Sequence, residues 1–367
     1  LSRLRPLLDD AILTDPPSTE LFEVYLATLE QLSPEFIGSY AAEAEPYARL
    51  LTRLLQPRFL ESFIEDRSRP IALRALAVRH LNSDRTHTRL LARLTQPSQP
   101  LPVRVEAVRS LGLTPDEEAG VALLEVAVGR SNPAHLRADA LLGLARQPVD
   151  VVPAAIALLN DPSAGVRLEA ARHLRSVTVT EEARAAVVAA MQTLGGEETA
   201  RLHAQLAFAV GSGAADHPAT PDAWEAALGA AGDPETGRRV FFSSASACSQ
   251  CHIVDRRGGD LGPDLTNVGR SKTRAGILDS ILRPSAEISP EYQGWYVRTA
   301  DGRIHTGRQI DVGSGGKAEL YVQPGAFITL EGVEEYGPMP RSLMPDGLET
   351  NLTVEDVRDL LAFLESR

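Results

Sequence analysis

The sequence Ala247-Cys248-Ser249-Gln250-Cys251-His252 contains the only two cysteines among 367 residues. The thiols are spaced Cys-x-x-Cys and a histidine follows at once, which is the pattern of c-type haem attachment. Two thiols on one short turn can each bond a vinyl group of the same porphyrin, and the adjacent imidazole then lies beneath the iron. The motif therefore predicts one haem c, bonded covalently through Cys248 and Cys251, with His252 as an iron ligand.

Three other interpretations of the cysteine pair remain open: a redox dithiol, a disulfide, or half of a zinc site. A thioredoxin-like dithiol belongs in a βαβ setting, and a zinc site needs a second ligand pair at similar spacing. The sequence around the motif shows neither feature.

The segments on either side of the motif predict helices and a rigid turn. Asp233 and Pro234 form a helix start, with an N-cap residue followed by proline at the first helical position. The Gly262-Pro263 dipeptide predicts a tight turn after the motif, and Thr353 caps a closing helix with an apolar stripe. Between them, Met344 precedes a proline, so its thioether is presented on a stiff loop.

This order of elements resembles a class I cytochrome c. More narrowly, it resembles the haem-binding domain family of the planctomycete and verrucomicrobial type, a match that covers 233–367. The residues that carry it, besides Cys248-x-x-Cys251-His252, are Gly269-Arg270, the run 281–288, Tyr292, Asp301-Gly302-Arg303 and Ser342-Leu343-Met344-Pro345. In that family the domain commonly follows helical repeats and often an upstream β-propeller, which this sequence lacks.

The resemblance implies a set of site residues around the haem. Met344 is the expected sixth iron ligand, and the alternatives are Met339, His305 or an open sixth position. Gly262 and Pro263 are expected to place a carbonyl on the ring N–H of the proximal histidine.

Arg270 is a further candidate, because a guanidinium suits the carboxylate of a haem propionate. A solvated arginine at a helix cap is the alternative for this residue.

A β-rich insertion interrupts the predicted haem domain at about 295–335. Four strand-like runs, 295–299, 303–312, 318–323 and 327–330, are joined by glycine-containing turns. They predict a small antiparallel sheet or barrel. Its placement is compatible with shielding of the haem edge, with a docking surface, or with a plain structural cover.

The middle of the chain contains a helical repeat. The template Arg-x-x-Ala-x-x-x-Leu begins at Arg74, Arg104, Arg137 and Arg167, and a proline precedes each copy. Small alanine with leucine one turn on suits two closely packed helices per repeat, which resembles short HEAT repeats.

We predict N-terminal helices over 1–68, a HEAT-like α-solenoid over 69–210, a junction over 211–232 and the haem domain over 233–367. The predicted fold class is thus mostly α: a solenoid, then a class I cytochrome c domain carrying a small antiparallel insertion.

Composition limits the function. The net charge of −12 argues against general nucleic-acid binding, and the sequence has no apolar run of transmembrane length. It has neither a signal peptide nor an initial Met, which suggests a piece of a longer precursor, and haem c attachment implies a periplasmic or exported protein.

The expected function is electron transfer with a redox partner or an upstream propeller-type dehydrogenase, since no catalytic motif makes the chain an enzyme by itself. The alternative is a solenoid that binds protein or polysaccharide, with the haem as sensor or structural element.

Overall fold

A computed structural model describes residues 57–81, 86–177, 179–194, 198–211, 217–229, 231–322 and 326–367. The chain divides into two compact units, with the boundary between Val210 and Gly211. The helices predicted at 20–32 and 41–55, part of the predicted junction at 212–216 and the turn predicted at 324–325 lie outside the described residues.

The N-terminal unit is helical throughout its described part. Helices α2, α4, α6, α8 and α10 pack against one another in succession, and α3 packs on α5 and α7 on α9 behind them. The helices are α1 Pro57–Glu65, α2 Ile71–His80, α3 Thr88–Leu94, α4 Leu101–Leu111, α5 Glu117–Val128, α6 Ala134–Leu144, α7 Val152–Leu158, α8 Ala164–Ser176, α9 Glu181–Thr193 and α10 Thr199–Ala209.

The arginine of the repeat closes the end of the preceding helix. The last carbonyl groups of a helix have no partner within it, so they need donors from elsewhere. In three repeats the arginine Nε donates to such a carbonyl: Arg74 to Ile64 at 2.7 Å, Arg104 to Thr95 at 2.7 Å and Arg137 to Ala127 at 2.8 Å. In these three copies the recurring arginine of the template therefore joins the repeat to the helix before it.

Ion pairs connect successive repeats. Arg79 on α2 binds Glu106 on α4 at 3.0 Å, and Arg109 on α4 binds Asp139 on α6 at 2.9 Å. Both carboxylates are buried. Because a buried carboxylate is costly without a partner, these pairs hold neighbouring helices in one register.

The C-terminal unit combines helices with a sheet. Its helices are α11 Pro221–Leu228, α12 Pro234–Phe242, α13 Cys248–Cys251, α14 Val268–Ser271, α15 Arg274–Leu282 and α16 Val354–Glu365. Its strands are β1 Gly294–Thr299, β2 Ile304–Gly313, β3 Lys317–Val322, β4 Ala326–Glu331 and β5 Val333–Pro338. Two short 3₁₀ helices, Pro290–Tyr292 and Leu348–Asn351, precede β1 and α16.

The five strands form one antiparallel sheet in the order β4-β3-β2-β1-β5. Val297, Leu320 and Leu330 form its small core. Four of the strands lie close to the runs predicted from sequence. The fifth, β5, was not predicted, and it returns to pair with β1 from Trp295 opposite Pro338.

The fold-class prediction is wrong. The structure has a helical N-terminal part and, in the C-terminal region, a curled antiparallel sheet, and this is not a class I cytochrome c fold. The prediction rested on the order of motifs, which is a local property of the sequence. The pairing of β1 with β5 joins residues far apart in the sequence, and it makes the 294–338 segment a complete sheet with its own core.

The two helices that flank the sheet in sequence cross each other tightly. Helix α12 packs on α16 at Gly237, where an added Cβ would lie 1.9 Å from the backbone oxygen of Asp359. Beside this crossing the rings of Phe241 and Phe363 lie 5.8 Å apart between centroids and are almost fully buried. Contact between these two phenylalanines was predicted from sequence and is confirmed.

Part of the predicted junction belongs to the C-terminal unit. His217 Nε2 lies 2.7 Å from the carbonyl oxygen of Leu352, and its ring stacks on Trp224, which is buried. Arg358 on α16 donates to the carbonyl of Leu228 at the end of α11. The described part of 217–228 is therefore held by hydrogen bonds and packing.

We expect Gly237→Ala to destabilise the C-terminal unit by about 3 kcal/mol, because the added methyl group has no room between two backbones. Both tryptophans, Trp224 and Trp295, lie in this unit, so their fluorescence during urea unfolding reports on it. Gly276→Ala is the matched control, since the nearest atom to its added Cβ is 3.4 Å away. Equal unfolding midpoints for both variants would contradict the tight crossing.

Candidate functional site

The Cys248–His252 segment is one helical turn that follows α12. Ser246 sits behind this turn: its buried hydroxyl donates to the carbonyl of Val240 at 2.6 Å. Ala247 adopts a left-handed conformation with φ 57°, which redirects the chain before the first cysteine. The backbone N–H of His252 then donates to the carbonyl of Cys248 at 3.0 Å. These contacts fix the positions of both thiols and of the imidazole, which lie within five consecutive residues.

A hydrogen bond to the following turn orients the imidazole. Nδ1 of His252 lies 2.8 Å from the carbonyl oxygen of Pro263. A carbonyl only accepts, so Nδ1 carries the proton and Nε2 keeps its lone pair. The contact between this turn and the ring is the one expected from the sequence.

Close packing beneath the ring requires glycine at position 262. A Cβ added to Gly262 would lie 2.6 Å from Cε1 of His252. The same residue donates its backbone N–H to the carbonyl of Cys251 at 2.7 Å. The loop is therefore pinned to the cysteine turn and covers one face of the histidine.

Burial keeps the three side chains of the motif uncharged at neutral pH. Burial raises the pKa of Cys248 to about 11 and also raises the pKa of Cys251. Burial lowers the pKa of His252, although the hydrogen bond from its ring to Pro263 acts in the opposite direction. Because the thiolate is the reactive form, both cysteines are weak nucleophiles at pH 7.

The sheet reaches the site through one side chain. Tyr321 on β3 is hydrogen-bonded to Asp260, in the loop between the cysteine turn and Gly262. Burial, followed by this bond, raises the pKa of Tyr321 to about 12. The phenol is therefore the donor to the carboxylate, and it ties the sheet to the loop that holds His252.

The other predicted site residues lie on separate segments. Met344 is half-buried on a loop where its N–H donates to Ser342 Oγ at 3.1 Å, and the N–H of Ser342 donates to Ser285 Oγ at 3.1 Å. Arg270 is exposed on α14, as in the alternative of a solvated arginine.

Both alternatives to Met344 lie at the sheet. Met339 follows β5, its N–H donates to the carbonyl of Gly294 at 2.7 Å, and its sulfur packs beside that glycine. His305 lies on β2, paired with Val297 on β1. The structure thus brings together Cys248, Cys251, His252, Gly262 and Pro263, while Met344, Met339, Arg270 and His305 belong to other segments.

The cofactor prediction is corrected. It assigned one haem c to Cys248 and Cys251, with His252 and Met344 as iron ligands. Across the part of the chain that the structure describes, no group of three or more His, Cys, Asp or Glu side chains comes together to hold a metal ion, whereas protein metal sites draw on three or four such donors. The structure supports two thiols that are not joined in a disulfide, beside a neutral imidazole.

Sequence reasoning missed two features that shape the site, the hydroxyl of Ser246 and the contact between Tyr321 and Asp260. Ser246 belongs to a run of small polar residues after α12, a composition that often caps a helix end through its hydroxyls. Its role could have been inferred from that run. The contact between Tyr321 and Asp260 has no such signal, because it joins residues far apart in the sequence.

Comparison with known proteins adds no relative. No model of a protein family matches the chain, and no curated protein is significantly similar to it. Among the helices that the structure describes, none is both long and apolar enough to cross a membrane.

We predict that Cys248 resists alkylation in the native chain. With a pKa of about 11, the thiolate is a minute fraction at pH 7.5, so iodoacetamide should react about a hundredfold more slowly than with the unfolded chain. Intact mass of the Cys251→Ser variant, sampled over time with and without urea, measures both rates. Native and unfolded rates that agree at pH 7.5 would contradict the burial of this thiol.

Proposed function

We propose that the chain is an electron-transfer protein whose redox centre is the Cys248–His252 turn. It exchanges electrons with a partner redox protein or dehydrogenase and does not itself convert a substrate. In this proposal the helical repeats of the N-terminal unit serve as a scaffold. The observation that carries the proposal is the convergence of two thiols and one imidazole on a single turn, described above.

The arrangement of the turn supports a fixed redox centre. Hydrogen bonds from Ser246, Gly262 and His252 to backbone carbonyls hold the three side chains. Oxidation of this centre would join Cys248 Sγ to Cys251 Sγ in a disulfide, releasing two protons and two electrons, and the partner redox protein would accept the electrons. The unprotonated Nε2 of His252 adds one available lone pair to the two thiols.

The electrostatics of the turn argue against protein disulfide exchange as the main activity. Exchange begins with attack by a thiolate, and burial raises the pKa of both thiols. The turn therefore gives up and takes back electrons and does not reshuffle disulfides in other proteins.

A redox titration of the full chain, followed by absorbance and by intact mass after denaturation, tests the proposal. We expect a reversible transition that is lost in the Cys248→Ser/Cys251→Ser variant. A loss of two hydrogens on oxidation would identify the two thiols as the redox group.

His252→Asn should shift the midpoint of this transition, because the imidazole adjoins both cysteines. His135→Asn is the matched control, since His135 is exposed on α6 in the other unit and should leave the midpoint unchanged. A folded wild-type chain without any reversible transition would overturn the proposal.

A further inference from the structure

A candidate binding cation in the C-terminal unit is Arg308 on β2. Within the ranges that the structure describes, its guanidinium makes no hydrogen bond and no ion pair, and its buried Nε has no partner there. Other arginines of this unit pair with carboxylates: Arg298 with Glu334 and Glu335, Arg274 with Glu365, Arg303 with Asp301 and Arg367 with Asp255. A guanidinium carries five donors, so a half-buried one without an acceptor calls for a physical explanation.

Two aromatic rings hold this guanidinium in place. The Arg308 Cζ lies 5.0 Å from the ring centroid of Tyr292 and 5.2 Å from that of Tyr321. Both contacts are cation–π interactions, which fix the position of the cation and leave its N–H groups unused. Arg308 is therefore preorganised for an acceptor that comes from outside the chain.

The terminal nitrogens of the guanidinium are the part of Arg308 that an acceptor can reach. Across the sheet Arg308 pairs with Gly294 on β1, against which Leu343 and Met339 pack, and with Tyr321 on β3. Only Nε is fully buried without a partner, so the terminal nitrogens of the guanidinium remain open to solvent. A small ligand would therefore approach Arg308 from the solvent side, at these nitrogens.

The local charge selects the class of ligand. Asp260 accepts a hydrogen bond from Tyr321, and the guanidinium of Arg308 lies over the ring of the same tyrosine. The negative charge of Asp260 repels a doubly charged phosphate about twice as strongly as a singly charged carboxylate, and one planar carboxylate matches the fork of a guanidinium. We propose that Arg308, held between Tyr292 and Tyr321, binds a small carboxylate ligand.

Acetate titration of the full chain tests this site, with sodium chloride added to keep the ionic strength constant. Binding is followed by the Nε–Hε signal of Arg308 in an NMR spectrum and by the thermal unfolding midpoint. We expect a saturable shift of the signal and a midpoint that rises with acetate. Arg308→Gln should weaken binding about tenfold or more, because it removes a charge-assisted pair.

Arg303→Gln is the matched control, since Arg303 is exposed and pairs with Asp301; this variant should bind acetate as the wild type does. If Arg308→Gln does not fold, Arg308→Lys keeps the charge but loses the fork, and it should also bind more weakly. Chloride that matches acetate, Arg308 variants that bind as the wild type does, or inorganic phosphate that binds more tightly than acetate would each overturn the proposal. The test does not depend on redox activity, so it can fail while the electron-transfer proposal stands.

Discussion

The hydrogen bond between Nδ1 of His252 and the carbonyl of Pro263 is the constraint on which the site depends. It sets the tautomer of the imidazole and holds the ring against Gly262, where no other residue fits. Because the same glycine donates to the carbonyl of Cys251, the histidine and the cysteine turn form one hydrogen-bonded unit. Burial then keeps the thiols protonated and the imidazole neutral.

The remainder of the C-terminal unit supports this small structure from two sides. The crossing of α12 and α16 at Gly237 fixes the helix from which the cysteine turn emerges. The sheet acts on the opposite end of the loop through Tyr321 and Asp260. Tyr321 also contacts Arg308, so the proposed carboxylate site and the cysteine turn share one connecting residue.

Local features of the site could be predicted from the sequence. The helical turn of Cys248-x-x-Cys251, the contact of the Gly262-Pro263 turn with His252, and the packing of Phe241 on Phe363 each follow from spacing or helix periodicity. The strand-like runs of the insertion were likewise visible as alternating apolar residues between glycine turns.

Features that depend on long-range pairing could not be predicted. Strand β5 contains Glu334, Glu335 and Pro338, a composition that disfavours a strand. Its backbone is nevertheless extended because it pairs with β1, a contact that the local sequence does not reveal. This omission, together with reliance on the order of motifs, led to the incorrect class I cytochrome c fold. The haem c prediction also rested on the order of motifs, because Met344 was chosen from its sequence motif and not from the residues that surround it in space.

The protonation of His252 tests the account most directly. Long-range ¹H–¹⁵N correlation spectra of the full chain, compared with His252→Asn for assignment, report which ring nitrogen carries the proton. We predict a proton on Nδ1 and none on Nε2 at pH 7, with a pKa below the ordinary value of 6.5. A proton on Nε2 instead, or an imidazolium that persists at pH 7, would contradict the arrangement of the site.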